Sequence, residues 1–130
     1  MTRAQWLVAL VAMLGVAGVI GAASIDEIMT KGHKAKTGLR AQIKSGAEMA
    51  NPNWADIQKK SKEFVDLASG LVKNDPPKGD KASWEKLCKE YVDLVKAIDE
   101  AAAKKDAKAL AAADKKLGAS CKGCHDAHQP

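Results

Sequence analysis

Aromatic side chains are scarce in this chain: one phenylalanine, one tyrosine and three tryptophans make up 4% of its 130 residues. The 21 lysines and arginines are dispersed among 16 acids instead of gathering in a stripe with those aromatics. A nucleic-acid surface needs such a stripe, so the formal charge of +5 describes a solvated surface with mild attraction for acidic partners. Only four prolines are present, and Pro52 and the Pro76-Pro77 pair are the interior breaks. No segment alternates with the period of a strand, which excludes a sheet and leaves helices. Cysteine is limited to three residues, too few for a disulfide scaffold, and two of them lie within a few residues of one another.

The beginning of the chain reads as an export signal over residues 1–23. Arg3 supplies a positive charge, Trp6 to Ile20 is apolar without charges, and Gly21-Ala22-Ala23 offers small residues for cleavage before Ser24. An uncleaved anchor is the alternative, because the apolar run approaches the length of a short span. A single domain is then expected over residues 24–130, in the oxidising periplasm. There a C-x-x-C pair would close to a disulfide unless another reaction consumed the thiols. The remaining Cys88 lies between Leu87 and Tyr91 on an apolar face and is expected to be buried and inert.

Four helices are expected. Ser24 and Glu27 have the spacing of a capping box, and Ile25, Ile28, Met29, Leu39 and Ile43 form one apolar stripe that stops at Gly46 and Asn51-Pro52-Asn53. Asn53 caps a second helix through Trp54, Ile57, Ser61, Phe64, Val65, Ala68, Leu71 and Val72, which ends at Asn74-Asp75-Pro76-Pro77. Ser83 is the expected cap of a third, with Trp84, Leu87, Cys88, Tyr91, Leu94, Val95 and Ile98 on its inner face. Asp106 caps a fourth, whose stripe runs through Leu110, Ala113, Leu117, Cys121 and Cys124. Amphipathic helices with short connections predict an all-α, antiparallel four-helix bundle. Its core of Val, Leu, Ile and Ala is small for the length, so a buried cofactor would add missing apolar volume.

The last helix ends in CKGCHDAHQP. Cys121, Cys124 and His125 form C-x-x-C-H, the pattern of c-type haem attachment, in which both thiols bond the haem and the histidine binds its iron. Spacings of three and four residues put all three side chains on one helix side. Cys121, Cys124, His125 and His128 also have the ligand types of a Cys₂His₂ zinc site, but no loop separates the pairs to bring ligands from two directions. A thioredoxin-like dithiol would need a strand leading into a helix N-terminus. His128, beyond the motif, reads as an exposed terminal residue.

The segment Leu117 to His128, LGASCKGCHDAH, resembles the haem helix of class II c-type cytochromes, the group of cytochrome c′ and the cytochrome c556 type. The resemblance covers residues 24–130 in layout and is specific in the last segment; the departure is His128, where the family often has an aromatic followed by basic residues. It implies one covalent haem c on the C-terminal helix, with His125 as proximal iron ligand. It also implies that the first helix covers the distal face, where a residue near Met29 sets the subtype. A methionine there resembles the low-spin electron carriers, whereas a non-ligating residue resembles the five-coordinate proteins that bind nitric oxide or carbon monoxide. His33, four residues after Met29 on the same face, is the alternative distal ligand, although a histidine between Lys31 and Lys34 also suits solvent. The expected function is therefore a periplasmic one-electron carrier serving redox partner proteins, with gas binding as the alternative. A homodimer through the first two helices, as in many relatives, is allowed. No acid and base pair suited to peroxide cleavage is seen, so no enzymatic turnover is expected.

Overall fold

A computed structural model describes residues 23–130; all but the last residue of the expected signal segment, and with it the alternative of an anchor, falls outside those described. The described residues are all-helical: α1 (Ile25–His33), α2 (Leu39–Ala47), α3 (Trp54–Ser69), a single 3₁₀ turn (Leu71–Lys73), α4 (Lys81–Ala103) and α5 (Ala107–His128). None of the described helices is long and apolar enough to cross a membrane.

The helix starts are local chemistry. Ser24 Oγ accepts from the Glu27 N–H at 3.2 Å and Glu27 Oε2 accepts from the Ser24 N–H at 3.1 Å, closing the capping box of α1. Asn53 accepts from the Asp56 N–H and Asp106 from the Ala109 N–H, as their positions predict. Each such cap contributes about 1 kcal/mol. The third start is corrected: Asp80, not Ser83, caps α4, its carboxylate accepting from the Ser83 N–H at 2.7 Å. The helix thus begins three residues before the predicted position, and the Ser83 hydroxyl is released for another partner.

The first predicted helix is two. After His33 the backbone leaves helical geometry at Lys34, Lys36 takes a left-handed φ of 68°, and Gly38 caps α2. A Cβ on Gly38 would lie 2.6 Å from the Lys34 nitrogen and 2.8 Å from the Gly32 carbonyl oxygen. The chain passes over itself so closely that only glycine fits. In the sequence Gly32 and Gly38 read only as dilutions of the apolar stripe from Ile25 to Ile43, and their spacing does not report this self-crossing.

Pairwise contacts then set the directions. Gln58 near the start of α3 donates to the Ala102 carbonyl near the end of α4 at 3.0 Å, and Ser61 donates to Asp99 at 2.6 Å, so α3 and α4 run antiparallel. Trp84 near the start of α4 lies edge-on to His128 at the end of α5, ring centroids 5.3 Å apart, so α5 returns along α4. The turn between those two is a Schellman motif, with the Asp106 N–H on the Ala101 carbonyl and the Lys105 N–H on that of Ala102; Lys105 takes the left-handed position at φ 54°. α2 lies against α5 through Arg40 and Asp114, and α1 lies on α3 where Gly32 faces Phe64.

Between them, Ile28, Ile43, Ile57, Phe64, Leu71, Val95, Ile98, Leu110 and Leu117 are buried. Each large apolar side chain so placed contributes about 1.5–3 kcal/mol relative to exposure. Cys88 is fully buried among them, and burial pushes its thiol up to about 12, so it is the inert packing residue expected.

Candidate functional site

α1 and α5 face each other across an apolar cleft floored by α4. It has two lobes, of about 150 and about 460 Å³, the larger within the size range of small-molecule and cofactor sites. Met29 and His33 from α1, Leu71, and Cys124 and His125 from α5 line both lobes. Cys121, Tyr91 and Arg40 close the smaller one, while Trp84, Pro77 and Ile25 wall the larger. All five residues predicted from the sequence to serve this site, Cys121, Cys124, His125, Met29 and His33, therefore meet in one cleft.

The Cys121-x-x-Cys124-His125 segment occupies the last two turns of α5. Cys121 and Cys124 are half-buried free thiols and His125 is exposed at the cleft. Burial, and then the neighbouring Cys121, push the Cys124 thiol up. That is the reverse of the depressed thiol that a redox dithiol at a helix N-terminus would show.

His33 is turned into the cleft and not toward solvent. Its Nε2 lies 2.7 Å from the Tyr91 hydroxyl, and its ring meets the edge of Phe64 at a centroid distance of 5.5 Å. Burial, reinforced by the positive fields of Arg40 and His125, lowers its pKa to about 4, so the ring is neutral at neutral pH. Tyr91 is itself buried, and burial raises its phenol well above the ordinary range. Its sequence position marked it only as core, because its partner lies 58 residues away.

The expectation for His128 is overturned. The ring is 2% exposed. Its Nδ1 lies 2.7 Å from the Lys78 carbonyl, which can only accept, so Nδ1 carries the proton and Nε2 accepts from the Ser83 hydroxyl at 3.1 Å. The loop reaches it through Gly79, at φ 81°, where a Cβ would stand 2.9 Å from Nδ1 and 2.8 Å from the Ala127 carbonyl oxygen. With both nitrogens engaged, His128 is a latch between the end of α5 and the α3–α4 connection. It is not available as a fourth zinc ligand, and among the described residues no group of three or more His, Cys, Asp or Glu side chains surrounds a metal position.

A second long-range contact escaped the sequence. Arg40 on the cleft wall donates from Nε to Asp114 Oδ1 at 2.7 Å, and from its terminal nitrogen to Oδ2 and to the Asp114 carbonyl, both at 3.3 Å. Asp114 is buried, and its hydrogen bond is the main reason the guanidinium is held firmly charged. Gly118 makes the approach possible, since a Cβ there would stand 2.7 Å from that terminal nitrogen.

Two thiols three residues apart, an adjacent imidazole and an apolar cleft stand on one side, and a thioether and a neutral imidazole one turn apart face them. No protein-family model matches the sequence, and no curated protein or solved structure matches it either.

Proposed function

We propose that the chain is an exported, periplasmic c-type cytochrome that carries single electrons, built as an antiparallel four-helix bundle with α1 and α2 as its bent first member. The observation that carries this reading is the convergence of Cys121, Cys124 and His125 with Met29 in one apolar cleft. Cys121 and Cys124 would hold the haem through thioethers, and His125 and Met29 would be the residues that ligate its iron. A haem bound there supplies reversible one-electron chemistry at its iron.

The remaining roles belong to the polypeptide. Leu71, Leu87 and Trp84 exclude water from the cleft, and a Met29 thioether ligand would favour the reduced state. The Arg40–Asp114 pair fixes α2 to α5 beside the smaller lobe. Lysines scattered over the surface suit an acidic redox partner, which docks by charge complementarity.

Absorption spectra of the exported protein, oxidised and reduced, with and without carbon monoxide, test the assignment in wild type and Met29→Ala. A six-coordinate electron carrier predicts a low-spin reduced spectrum unaffected by carbon monoxide in wild type and a responsive one in the variant. A high-spin wild-type spectrum that responds at once to carbon monoxide would replace electron carriage with gas binding.

A further inference from the structure

Two candidate ligands stand one turn apart on the cleft face of α1, and a protein that committed both to one iron position would have a mixed coordination. The structure treats them differently. His33 Nε2, the ring nitrogen directed away from its own backbone, is engaged by the Tyr91 hydroxyl at 2.7 Å. If Nε2 is bare it accepts the phenolic proton; if it carries the proton it donates to the phenolic oxygen. In both tautomers that nitrogen is withheld. Phe64 sets the ring plane from the other side, and Phe64 and Tyr91 also meet edge to face at 6.5 Å, so the three rings form one braced cluster. Met29 lines both lobes and is outside that cluster.

We propose that Tyr91 is a positioning residue that selects the distal ligand: by occupying His33 Nε2 it leaves the Met29 thioether as the group presented to the cofactor. The inference rests on the cytochrome reading and deepens it. Tyr91 is buried, so its hydroxyl depends on His33 as much as His33 depends on it, and the pair is self-holding. Removing the hydroxyl alone keeps the ring brace and frees a neutral imidazole one turn from Met29.

The test uses the exported full-length holoprotein as wild type, Tyr91→Phe, His33→Ala and the double variant, with covalent haem confirmed in each by in-gel haem staining. The readouts are the low-temperature electron spin resonance spectrum of the oxidised state and the reduction potential. Tyr91→Phe is expected to acquire a bis-imidazole population and a lower potential, because imidazole replaces a ligand that favours the reduced state. His33→Ala is expected to keep the wild-type signature, and the double variant to return to it. Haem retained throughout with Tyr91→Phe unchanged would overturn the selection role while leaving the cytochrome reading intact. A bis-imidazole wild type lost in His33→Ala would also overturn it, since His33 would already be the ligand. A wild type without covalent haem would overturn the cytochrome reading and the selection role together.

Discussion

Replacing His128 with alanine removes a side chain that the sequence places at a frayed end and the fold places in a closed polar joint. Two hydrogen bonds disappear, from Nδ1 to the Lys78 carbonyl and from Ser83 to Nε2, each contributing about 1 kcal/mol. The edge-on contact with Trp84 is lost as well, about 0.5–1.5 kcal/mol. The expected destabilisation is therefore about 3 kcal/mol, a large share of the 5–15 kcal/mol typical of a domain. Urea unfolding of the haem-free chain, followed by tryptophan fluorescence and far-ultraviolet circular dichroism, reads it directly. With a slope of about 1.5 kcal/mol per molar, the midpoint should fall by about 2 M. His128→Phe, which keeps a ring against Trp84 but neither hydrogen bond, should fall by roughly two thirds as much. A loss below about 0.5 kcal/mol in both variants, the value of an ordinary surface position, would refute the latch.

Arg40→Leu should cost about 3 kcal/mol in the same assay, because it strands the buried Asp114 carboxylate; adding Asp114→Leu should recover most of the loss. The His33 proton gives a pH dependence of definite sign. Its pKa falls from 6.5 in the unfolded chain to about 4 in the fold, so the unfolded state takes the proton first. Its contribution to stability is complete above pH 6.5 and is lost as pH falls toward 4, by about 2 kcal/mol once solvent screening of a half-buried ring is allowed for. The haem-free His33→Asn variant should show a shallower fall across that window, and an unchanged slope would contradict the assignment. Lys105→Gly should stabilise by about 0.5–1 kcal/mol by relieving the left-handed residue of the α4–α5 turn, read as a rise in the thermal midpoint.

What the sequence disclosed is what acts within one or two helical turns. The Ser24–Glu27 capping box and the Asn53 and Asp106 caps are spaced three residues from the N–H groups they satisfy. Ser83 misled because an aspartate three residues earlier performs the same chemistry and starts the helix sooner. The meeting of Met29 and His33 with α5 was expected only through the resemblance of the last segment to the haem helix of class II c-type cytochromes, which implies a first helix lying across from it. The division of the first helix was not, since it depends on Gly38 passing over the backbone of Gly32 and Lys34. Nor could spacing reveal the contacts of His33 with Tyr91, Arg40 with Asp114 or His128 with Ser83, which join residues 58, 74 and 45 positions apart. These three pairings brace the cleft, and all of them are properties of the assembled helices.

The central claim is that Cys121 and Cys124 carry a covalent haem. Mass spectrometry of the C-terminal peptide from the exported full-length protein, after acid extraction that strips noncovalent haem, tests it most directly beside the Cys121→Ala/Cys124→Ala variant. The account predicts a peptide heavier by one haem in wild type and a haem-free peptide in the double variant. A wild-type peptide with both thiols free, or joined as a disulfide, would contradict it.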